Sequence, residues 1–257
     1  MEWWQILLIV LGSLLLLFIL FILSIIFYKP FFKRFWDIVL SFLAITVFSP
    51  LIIVLMIIGA IAMKGNPFFV QKRPGKKGKD GKEKLFSLIK FRTMSNAKDK
   101  DGNLLPDDKR LNAYGKFLRS TSLDELPEAF NIFIGDMSVI GPRPQLVRDM
   151  VFMSEEQRHR HDVRPGLSGL AQVNGRNNIT WEQKFEYDLR YINHISLFCD
   201  IGLIIKSAFK AFVKRDDIER DGTSSDIDFG DWLLQEGKIS KEKYESKQLE
   251  AKNILGA

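Results

Sequence analysis

Two adjacent carboxylates, Asp124 and Glu125, are the residues of this sequence best suited to chemistry. They lie in residues 118–128, LRSTSLDELPE. Neighbouring side chains point about 100° apart on a helix, so one carboxylate could attack a substrate while the other holds a metal ion. A carboxylate can act as a covalent nucleophile toward phosphorus. Mg²⁺ is usually held by one or two carboxylates together with substrate phosphates, and Arg119 could neutralise phosphate charge.

The same residues also fit a purely structural interpretation. Ser122 and Glu125 have the spacing of a helix capping box, and acidic residues are favoured at a helix start. Pro127 fits this interpretation less well, because a proline that deep in a helix costs a hydrogen bond. Taken alone, the segment favours a helix cap over a catalytic site.

Two loops rich in glycine and proline carry further polar candidates. In residues 135–144, GDMSVIGPRP, two prolines stiffen the backbone around Arg143, and a fixed guanidinium suits phosphate. A rigid loop with a solvated arginine is the alternative. Residues 163–176, VRPGLSGLAQVNGR, contain glycines that permit close backbone approach. They offer three polar side chains, Gln172, Asn174 and Arg176.

The histidines give no support for a metal site. His159, His161 and His194 lack a metal-binding spacing, and residues 158–161, RHRH, are expected to form a solvated basic surface. Residues 99–102, DKDG, are interpreted as a turn, because the glycine is misplaced for a calcium loop.

The elements that position these residues begin with an apolar stretch. Residues 6–27 carry no charge and match the roughly 20 residues that span a bilayer. A cleaved signal peptide fits less well, because Glu2 replaces a basic start, the run is too long and no small-residue cleavage site follows. We therefore predict a transmembrane helix in residues 1–30.

A second apolar run, residues 35–63, has lysines and arginines on both sides. Basic residues prefer the cytoplasmic side, and both groups can stay there if residues 31–64 enter the membrane and return. The Ser49-Pro50 pair offers a break, since proline removes a helix hydrogen bond. An ordinary second span with a kink is the alternative.

The remaining chain predicts a helix-dominated α+β domain in residues 65–214. Residues 67–72 and 85–92 indicate a small β-hairpin with a long basic tip. Residues 181–213 fit either a helix lying on the membrane or core helices. Residues 215–257 form a charged tail, expected to hold one or two peripheral helices or to be partly disordered.

The charge of the chain indicates which classes of molecule it could bind. The formal charge of +6 over 257 residues indicates an anionic partner, which could be a phospholipid surface, a nucleotide or a nucleic acid. Nucleic acid is disfavoured, because the lysines that follow the second apolar run would lie beside the bilayer and suit anionic headgroups. Cys199 is the only cysteine, so an intrachain disulfide is excluded.

Together these motifs resemble the bacterial sugar transferases, the family of monotopic polyprenyl-phosphate glycosyl-1-phosphate transferases. The resemblance covers roughly residues 33–214 and follows the order and spacing of the family motifs. It rests on Ser49-Pro50, KRPG at 72–75, KFRTM at 90–94, SLDELP at 122–127, GDMS at 135–138, GPRP at 141–144, VRPG at 163–166 and AQVNGR at 171–176. The first apolar helix and the charged tail are additions relative to the smallest members.

The resemblance implies a re-entrant membrane helix and a two-step reaction at the cytoplasmic face of the bacterial inner membrane. Asp124 would attack the β-phosphate of a UDP-sugar, releasing UMP, and polyprenyl phosphate would then displace Asp124. Glu125 would hold Mg²⁺. The other site positions matched by the family pattern are Lys90, Arg119, Arg143 and Asp188, beside the loop residues Gln172, Asn174 and Arg176.

The expected partners are therefore a UDP-sugar, a polyprenyl phosphate lipid and the membrane, in the first membrane step of exopolysaccharide, capsule or glycoconjugate assembly. A homo-oligomer is compatible with the sequence. Two alternatives stay open: a glycosyltransferase that releases UDP, and a membrane scaffold or regulator of polysaccharide assembly without catalysis.

Overall fold

The computed structural model describes residues 2–175, 179–213 and 227–256. Its first two helices are α1 (Trp3–Ile26) and α2 (Lys33–Ala62), joined by a π-helical turn at Tyr28–Phe32. Both helices are long and apolar enough to cross a membrane. Ser24 is the one buried residue of α1, so nearly all of this helix is exposed. The two predicted apolar helices are confirmed.

Pro50 lies inside α2, which continues across it from Lys33 to Ala62. Proline has no N–H, so the carbonyl of Thr46 loses its helical partner. The Ser49 hydroxyl donates to that carbonyl at 2.8 Å. The expected break at Ser49-Pro50 is therefore a proline within one continuous helix, and the serine beside it satisfies the freed carbonyl.

The first half of α2 is fixed to the rest of the protein by charged side chains. Lys33 Nζ lies 2.5 Å from Asp200 Oδ2 and donates to the carbonyl of Ile140 at 2.9 Å. Asp37, which is buried, accepts hydrogen bonds from the Ser138 hydroxyl and the Val139 amide, both at 2.9 Å.

The second half of α2 contacts the same domain. The Tyr114 hydroxyl donates to the carbonyl of Leu55 at 2.7 Å, and Asn112 donates to the carbonyl of Ala62 at 3.1 Å. Gly59 permits this approach, because a Cβ there would lie 2.8 Å from the Tyr114 hydroxyl oxygen. Both ends of the helix therefore pack against one domain.

The predicted hairpin is confirmed as the antiparallel strands β1 (Phe68–Lys77) and β2 (Glu83–Phe91). Phe68 pairs with Phe91 at its base, and their rings stack at 5.4 Å. β1 runs further than expected, through a register shift between Pro74 and Lys77. The connecting tip is therefore shorter than the sequence indicated.

The chain between the hairpin and the last long helices consists of short elements. They are α3 (Asp107–Arg110), α4 (Ala113–Thr121), α5 (Glu128–Ile134), β3 (Ser138–Ile140), α6 (Val147–Met150), α7 (Glu155–Arg158), β4 (Gly166–Ser168) and α8 (Leu170–Asn174). β3 and β4 pair in parallel, so the two loops at residues 135–144 and 163–176 lie side by side. A Cβ on Gly166 would lie 2.0 Å from the amide nitrogen of Gly141, so the strands meet where glycine allows it.

Residues 181–213 form two helices, α9 (Trp181–Asn193) and α10 (Leu197–Val213). They were predicted to be either core helices or a helix lying on the membrane, and the two helices differ in burial. α9 is a core helix, because it buries Trp181, Phe185, Tyr191 and Ile192. α10 buries Leu203 but leaves four large apolar side chains exposed: Phe198, Ile201, Ile205 and Phe209. That face is typical of a helix at a membrane surface.

The charged tail contains the predicted two helices, α11 (Phe229–Gln235) and α12 (Lys241–Leu255). The expectation of a peripheral helix was wrong for α11, whereas α12 is largely exposed and buries one residue, Ala251. Phe229 and Trp232 are buried in one apolar cluster with Trp181 and Phe185, and Ala251 is buried in another. The first part of the tail, residues 215–226, lies outside the described residues.

Candidate active site

Asp124 and Glu125 lie on a single 3₁₀ turn, Leu123–Glu125, between α4 and α5. The capping-box interpretation was wrong: Ser122 ends α4 in the left-handed region, with φ of 56°, and its side chain caps no helix. Pro127 directly precedes α5 with φ of −64°, where a missing N–H costs no helical hydrogen bond. The dyad is thus held on a tight turn between two helices.

The turn rests on an apolar cluster to which α2 contributes. Leu123 and Leu126, on either side of the dyad, pack against a buried cluster made of Ile52 and Leu55 of α2 together with Phe91 and Leu118. Phe91 directly follows Lys90, and Leu118 precedes Arg119. Helix α2 therefore forms part of the wall behind the candidate site.

Two cations converge on one oxygen of Glu125. Lys90 Nζ lies 2.9 Å and Arg143 Nη2 lies 3.1 Å from Glu125 Oε1. Lys90 also lies 2.9 Å from Oε1 of Glu128, whose side chain is 4% exposed. Among the described residues, Asp124 takes part in no ion pair. The structure thus distinguishes Glu125, which is ion-paired with two cations, from Asp124, which forms no ion pair among the described residues.

The pKa values follow from this separation. Burial, helped by the charge of Glu125, raises the pKa of Asp124 to about 6. Burial alone would also raise the pKa of Glu125, but the charges of Arg143 and Lys90 outweigh it and lower that pKa. Burial and the charge of Glu125 raise the pKa of Glu128. Near neutral pH, Glu125 is ionised and Asp124 is a weakly solvated, mostly ionised carboxylate.

Asn131 positions Lys90, although it was not among the predicted site residues. Its side chain accepts from the Ile89 amide at 3.0 Å and donates to the Ser87 carbonyl at 2.8 Å. This fixes α5 beside β2, so that Glu128, one turn earlier, faces Lys90. An asparagine within an otherwise apolar helical stretch was the available signal, because a buried amide needs partners.

The Arg143 loop is clamped through its carbonyl oxygens. Arg160 Nη2 donates to the Arg143 carbonyl at 2.7 Å, and Arg73 Nη1 donates to the Pro144 carbonyl at 3.3 Å. Arg160 also forms a buried ion pair with Asp188. Asp188 thus lies behind Arg143, with Arg160 between them.

The solvated basic surface expected at residues 158–161 was wrong for Arg160 and His161, whereas the His159 side chain is 62% exposed. Arg160 is 2% and His161 4% exposed. Arg160 is neutralised by Asp188, and His161 Nδ1 lies 3.2 Å from Glu83 Oε1. Their burial depends on carboxylates that are distant in sequence.

Three of the predicted binding residues make other contacts. Arg119 Nε donates to the Thr93 hydroxyl at 3.1 Å. Gln172 and Asn174 donate to the carbonyls of Leu167 and Leu170 in their own loop and helix. No hydrogen bond or ion pair within the described chain joins these three to the dyad, and Arg176 lies outside the described residues.

The carboxylates of the candidate site determine what kind of metal ion it could bind. The part of the chain that the structure describes contains no group of three or more His, Cys, Asp or Glu residues placed to hold a metal ion. Mg²⁺ commonly takes one or two protein carboxylates and completes its shell with water and substrate phosphates. Asp124 and Glu125 fit an ion that arrives with a diphosphate.

Sequence comparisons define the family. The family of bacterial sugar transferases matches residues 28–214, so this chain belongs to it. An uncharacterized sugar transferase, EpsL, of Bacillus subtilis is 42% identical over 183 residues, which cover 70% of this chain and 87% of that protein.

Several relatives carry an activity in their names. A UDP-glucose:undecaprenyl-phosphate glucose-1-phosphate transferase of Klebsiella pneumoniae is 40% identical over 194 residues, covering 72% of this chain and 41% of the relative. An undecaprenyl-phosphate galactose phosphotransferase of Salmonella typhimurium is 33% identical over 204 residues, again covering 72% and 41%. The chain therefore spans about two fifths of these two larger relatives.

Proposed function

We propose that this protein transfers a sugar-1-phosphate from a UDP-sugar to polyprenyl phosphate, giving polyprenyl-diphosphate-sugar and UMP, in exopolysaccharide or capsule assembly. One observation carries the proposal: Glu125 is ion-paired with Lys90 and Arg143, whereas the adjacent Asp124 forms no ion pair among the described residues, although both cations lie near it. The names of the Klebsiella and Salmonella relatives support the substrate classes.

In the first step, a carboxylate oxygen of Asp124 attacks the β-phosphorus of the UDP-sugar. The bond from that phosphorus to the bridging oxygen breaks, and UMP leaves with the electron pair. Asp124 suits this role because its lone pairs are not held in an ion pair and because burial removes part of its hydration. Lys90 and Arg143 place positive charge where the transferred phosphoryl group needs it, since this chemistry depends on positioning and charge neutralisation.

In the second step, a phosphate oxygen of the polyprenyl phosphate attacks the same phosphorus. The bond to Asp124 breaks, and the carboxylate is restored for the next cycle. The product carries the sugar on a diphosphate bridge to the lipid. Each step exchanges one P–O bond for another, so no oxidant or reductant is needed.

Mg²⁺ is proposed as the cofactor, with Glu125 as its main protein ligand and Asp124 beside it. When bound, the ion would neutralise charge on the diphosphate. Oε1 of Glu125 is ion-paired with both Lys90 and Arg143. Among the described residues no hydrogen bond reaches Oε2 of Glu125, so this oxygen is available as a metal ligand. Lys90 would keep its second partner, Glu128, if Glu125 bound an ion.

We also propose that α1 spans the bacterial inner membrane and that α2 enters and leaves it on the cytoplasmic side. A helix of 30 residues is about 45 Å long and could cross a bilayer. However, Lys33 near its start and Ala62 at its end both contact the same domain. That arrangement favours a helix with both ends on one side, where a soluble nucleotide and a lipid phosphate can meet.

The decisive experiment measures nucleotide release. The full-length protein in membranes or nanodiscs is incubated with undecaprenyl phosphate, Mg²⁺ and, in turn, UDP-glucose, UDP-galactose and UDP-N-acetylgalactosamine. We expect UMP from at least one donor and a loss of at least ~1,000-fold in Asp124→Asn. A sugar-phosphate adduct on wild-type protein, formed without acceptor lipid and absent from Asp124→Asn, identifies the first step.

The outcomes separate the alternatives. Release of UDP would indicate a glycosyltransferase that transfers the sugar without its phosphate. The absence of either nucleotide with every donor would favour a scaffold or regulator. Wild-type turnover in Asp124→Asn would refute the mechanism. Asp101→Asn is a matched control, because this carboxylate is exposed on a remote turn and should leave turnover unchanged.

Topology is tested with single cysteines in a Cys199→Ser background. Cysteines at Phe31 and Lys79 are expected to react with a membrane-impermeant reagent from the same side, and a cysteine at Glu2 from the opposite side. Opposite labelling of positions 31 and 79 would show that α2 crosses the membrane. Labelling of position 2 from the same side as position 31 would remove the first span.

A further inference from the structure

Helices α11 and α12 lie beyond residues 28–214, which match the family, yet they pack against both elements that hold the Arg143 loop. We propose that the C-terminal segment 227–256 is a brace that holds Arg143 against Glu125, with Arg148, Asp228 and Asp231 as positioning residues. The inference rests on the proposed function, because it assigns Arg143 to the site that binds the diphosphate.

The first route to Arg143 runs through α6, which begins three residues after Pro144. Arg148 on α6 forms ion pairs with Asp231 at 2.7 Å and with Asp228 at 3.4 Å. The Tyr244 hydroxyl of α12 donates to the same Asp231 carboxylate. Arg148 Nη2 also donates to the Tyr244 hydroxyl at 3.5 Å, so one arginine of α6 contacts both helices of the tail.

Close packing beneath these ion pairs fixes the distance between the tail and α6. Asp149, 1% exposed, accepts a hydrogen bond from the Gly230 amide at 3.4 Å. A Cβ at Gly230 would lie 2.4 Å from the ring of Phe152, so only glycine allows this approach. Ala251 of α12 is buried against Val147 and Met150 of α6.

The second route runs through α9. The indole N–H of Trp181 donates to the carbonyl of Ile227 at 3.1 Å, and the ring of Phe229 lies 5.0 Å from that of Phe185. The same helix carries Asp188, which binds Arg160. Arg160 in turn donates to the carbonyl of Arg143. The tail therefore covers both the element that follows Arg143 and the element behind it.

A tail that positions Arg143 and a tail that only stabilises the fold can be distinguished by experiment. If the tail acts by positioning Arg143, then weakening it should matter only while the Arg143 guanidinium is present. If it only stabilises the fold, its effect should be independent of that side chain. Energetic coupling between the two sites therefore distinguishes the two roles.

The experiment is a double-mutant cycle in the full-length protein. Asp228→Asn/Asp231→Asn is combined with Arg143→Ala, and UMP release is measured against the concentration of the best donor of the three UDP-sugars above. Asparagine keeps the N-cap propensity of position 228, so charge is removed with little change in helix formation. Glu250→Gln is the matched control, because it removes a tail carboxylate from the exposed pair with Lys247.

We expect the tail variant to lower kcat/KM about tenfold, mainly through a higher KM, and to have no further effect in the Arg143→Ala background. Glu250→Gln should retain wild-type constants. Equal fold losses in both backgrounds, or unchanged kinetics in a folded tail variant, would overturn the brace. If the double variant fails to fold, Tyr244→Phe, which removes one hydroxyl that binds Asp231, is carried through the same cycle.

The result also separates this inference from the proposed function. If Arg143→Ala alone retains wild-type activity, Arg143 has no role at the site and the assignment of its function fails with the brace. If Arg143→Ala is impaired but the tail variant is not, only the brace fails.

Discussion

Arg160 donates two hydrogen bonds to one carboxylate oxygen of Asp188, from Nε at 3.0 Å and from Nη2 at 2.7 Å. Both side chains are buried. Since the same guanidinium also holds the Arg143 carbonyl, this ion pair sets the position of a site residue without itself facing Glu125.

Replacing Asp188 with Asn should therefore weaken both folding and substrate binding. The change leaves the buried Arg160 charge uncompensated, which typically costs about 3 kcal/mol or more of unfolding free energy. We expect a lower unfolding midpoint together with a higher KM for the UDP-sugar. A variant that loses activity at an unchanged midpoint would instead indicate direct contact of Asp188 with substrate.

The rate of UMP release should depend on the ionisation of Asp124. Burial and the Glu125 charge raise the pKa of Asp124 to about 6, and only the ionised carboxylate can attack. Protonation at lower pH therefore removes the nucleophile, so kcat/KM should rise as pH increases through about 6 and then level off. Initial rates at constant ionic strength between about pH 5 and 8 test this, and a flat profile over that range would contradict it.

Lys90 is expected to be required for stability as well as for turnover. It lies 2.9 Å from carboxylate oxygens of both Glu125 and Glu128, so Lys90→Met leaves two acidic groups facing each other without that cation. Loss of one partner of a buried pair costs about 3–5 kcal/mol. Chemical unfolding in detergent measures the change.

The control for Lys90 is the double variant Lys90→Met/Glu128→Gln. It removes one of the two carboxylates, so part of the lost unfolding free energy should return while turnover stays low. If the double variant is no more stable than Lys90→Met, the two carboxylates do not repel each other in the absence of Lys90.

The pair formed by His161 and Glu83 should make the fold sensitive to acid. Burial lowers the pKa of His161 to about 4, and its Nε2 is buried without a hydrogen-bond partner in the described structure. Burial would raise the pKa of Glu83, but its hydrogen bond with His161 and the Arg158 charge lower it to about 2.

Both shifts have the same sign for stability. Between about pH 6.5 and 4 the unfolded chain binds a proton at His161 that the folded protein excludes, so stability falls as pH falls. Below about pH 4.3 the unfolded state also protonates Glu83 first, and the loss continues toward pH 2. Unfolding midpoints against pH should be flatter between pH 6.5 and 4 in His161→Gln, and an unchanged slope would exclude His161 as the cause.

Sequence patterns predicted the elements that depend on neighbouring residues. The two apolar helices follow from uninterrupted apolar runs, and the hairpin follows from β-forming residues on either side of a Gly- and Lys-rich turn. The failures concern residues whose partners lie far along the chain. Arg160 looked like a surface residue because Asp188, which neutralises it, comes 28 residues later.

The candidate site was only partly visible in the sequence for the same reason. Lys90 and Arg143 were predicted, and they do meet Glu125. Glu128 and Asn131 were missed as site residues, because their importance depends on the packing of α5 against β2. The Ser122–Glu125 spacing was misleading, since it suits a cap only if Ser122 begins a helix, whereas here it ends one.

With α2 in the bilayer, as proposed, the packing of this helix makes the lipid layer part of the protein's mechanics. Ile52 and Leu55 belong to the apolar cluster against which Leu123 and Leu126 pack, so a displacement of this helix would be transmitted to the turn that carries Asp124 and Glu125. The depth of an apolar helix responds to the thickness of the surrounding hydrocarbon layer. On the proposed topology, bilayer thickness becomes a variable of turnover, and removal of α2 would dismantle the candidate active site instead of releasing a soluble enzyme.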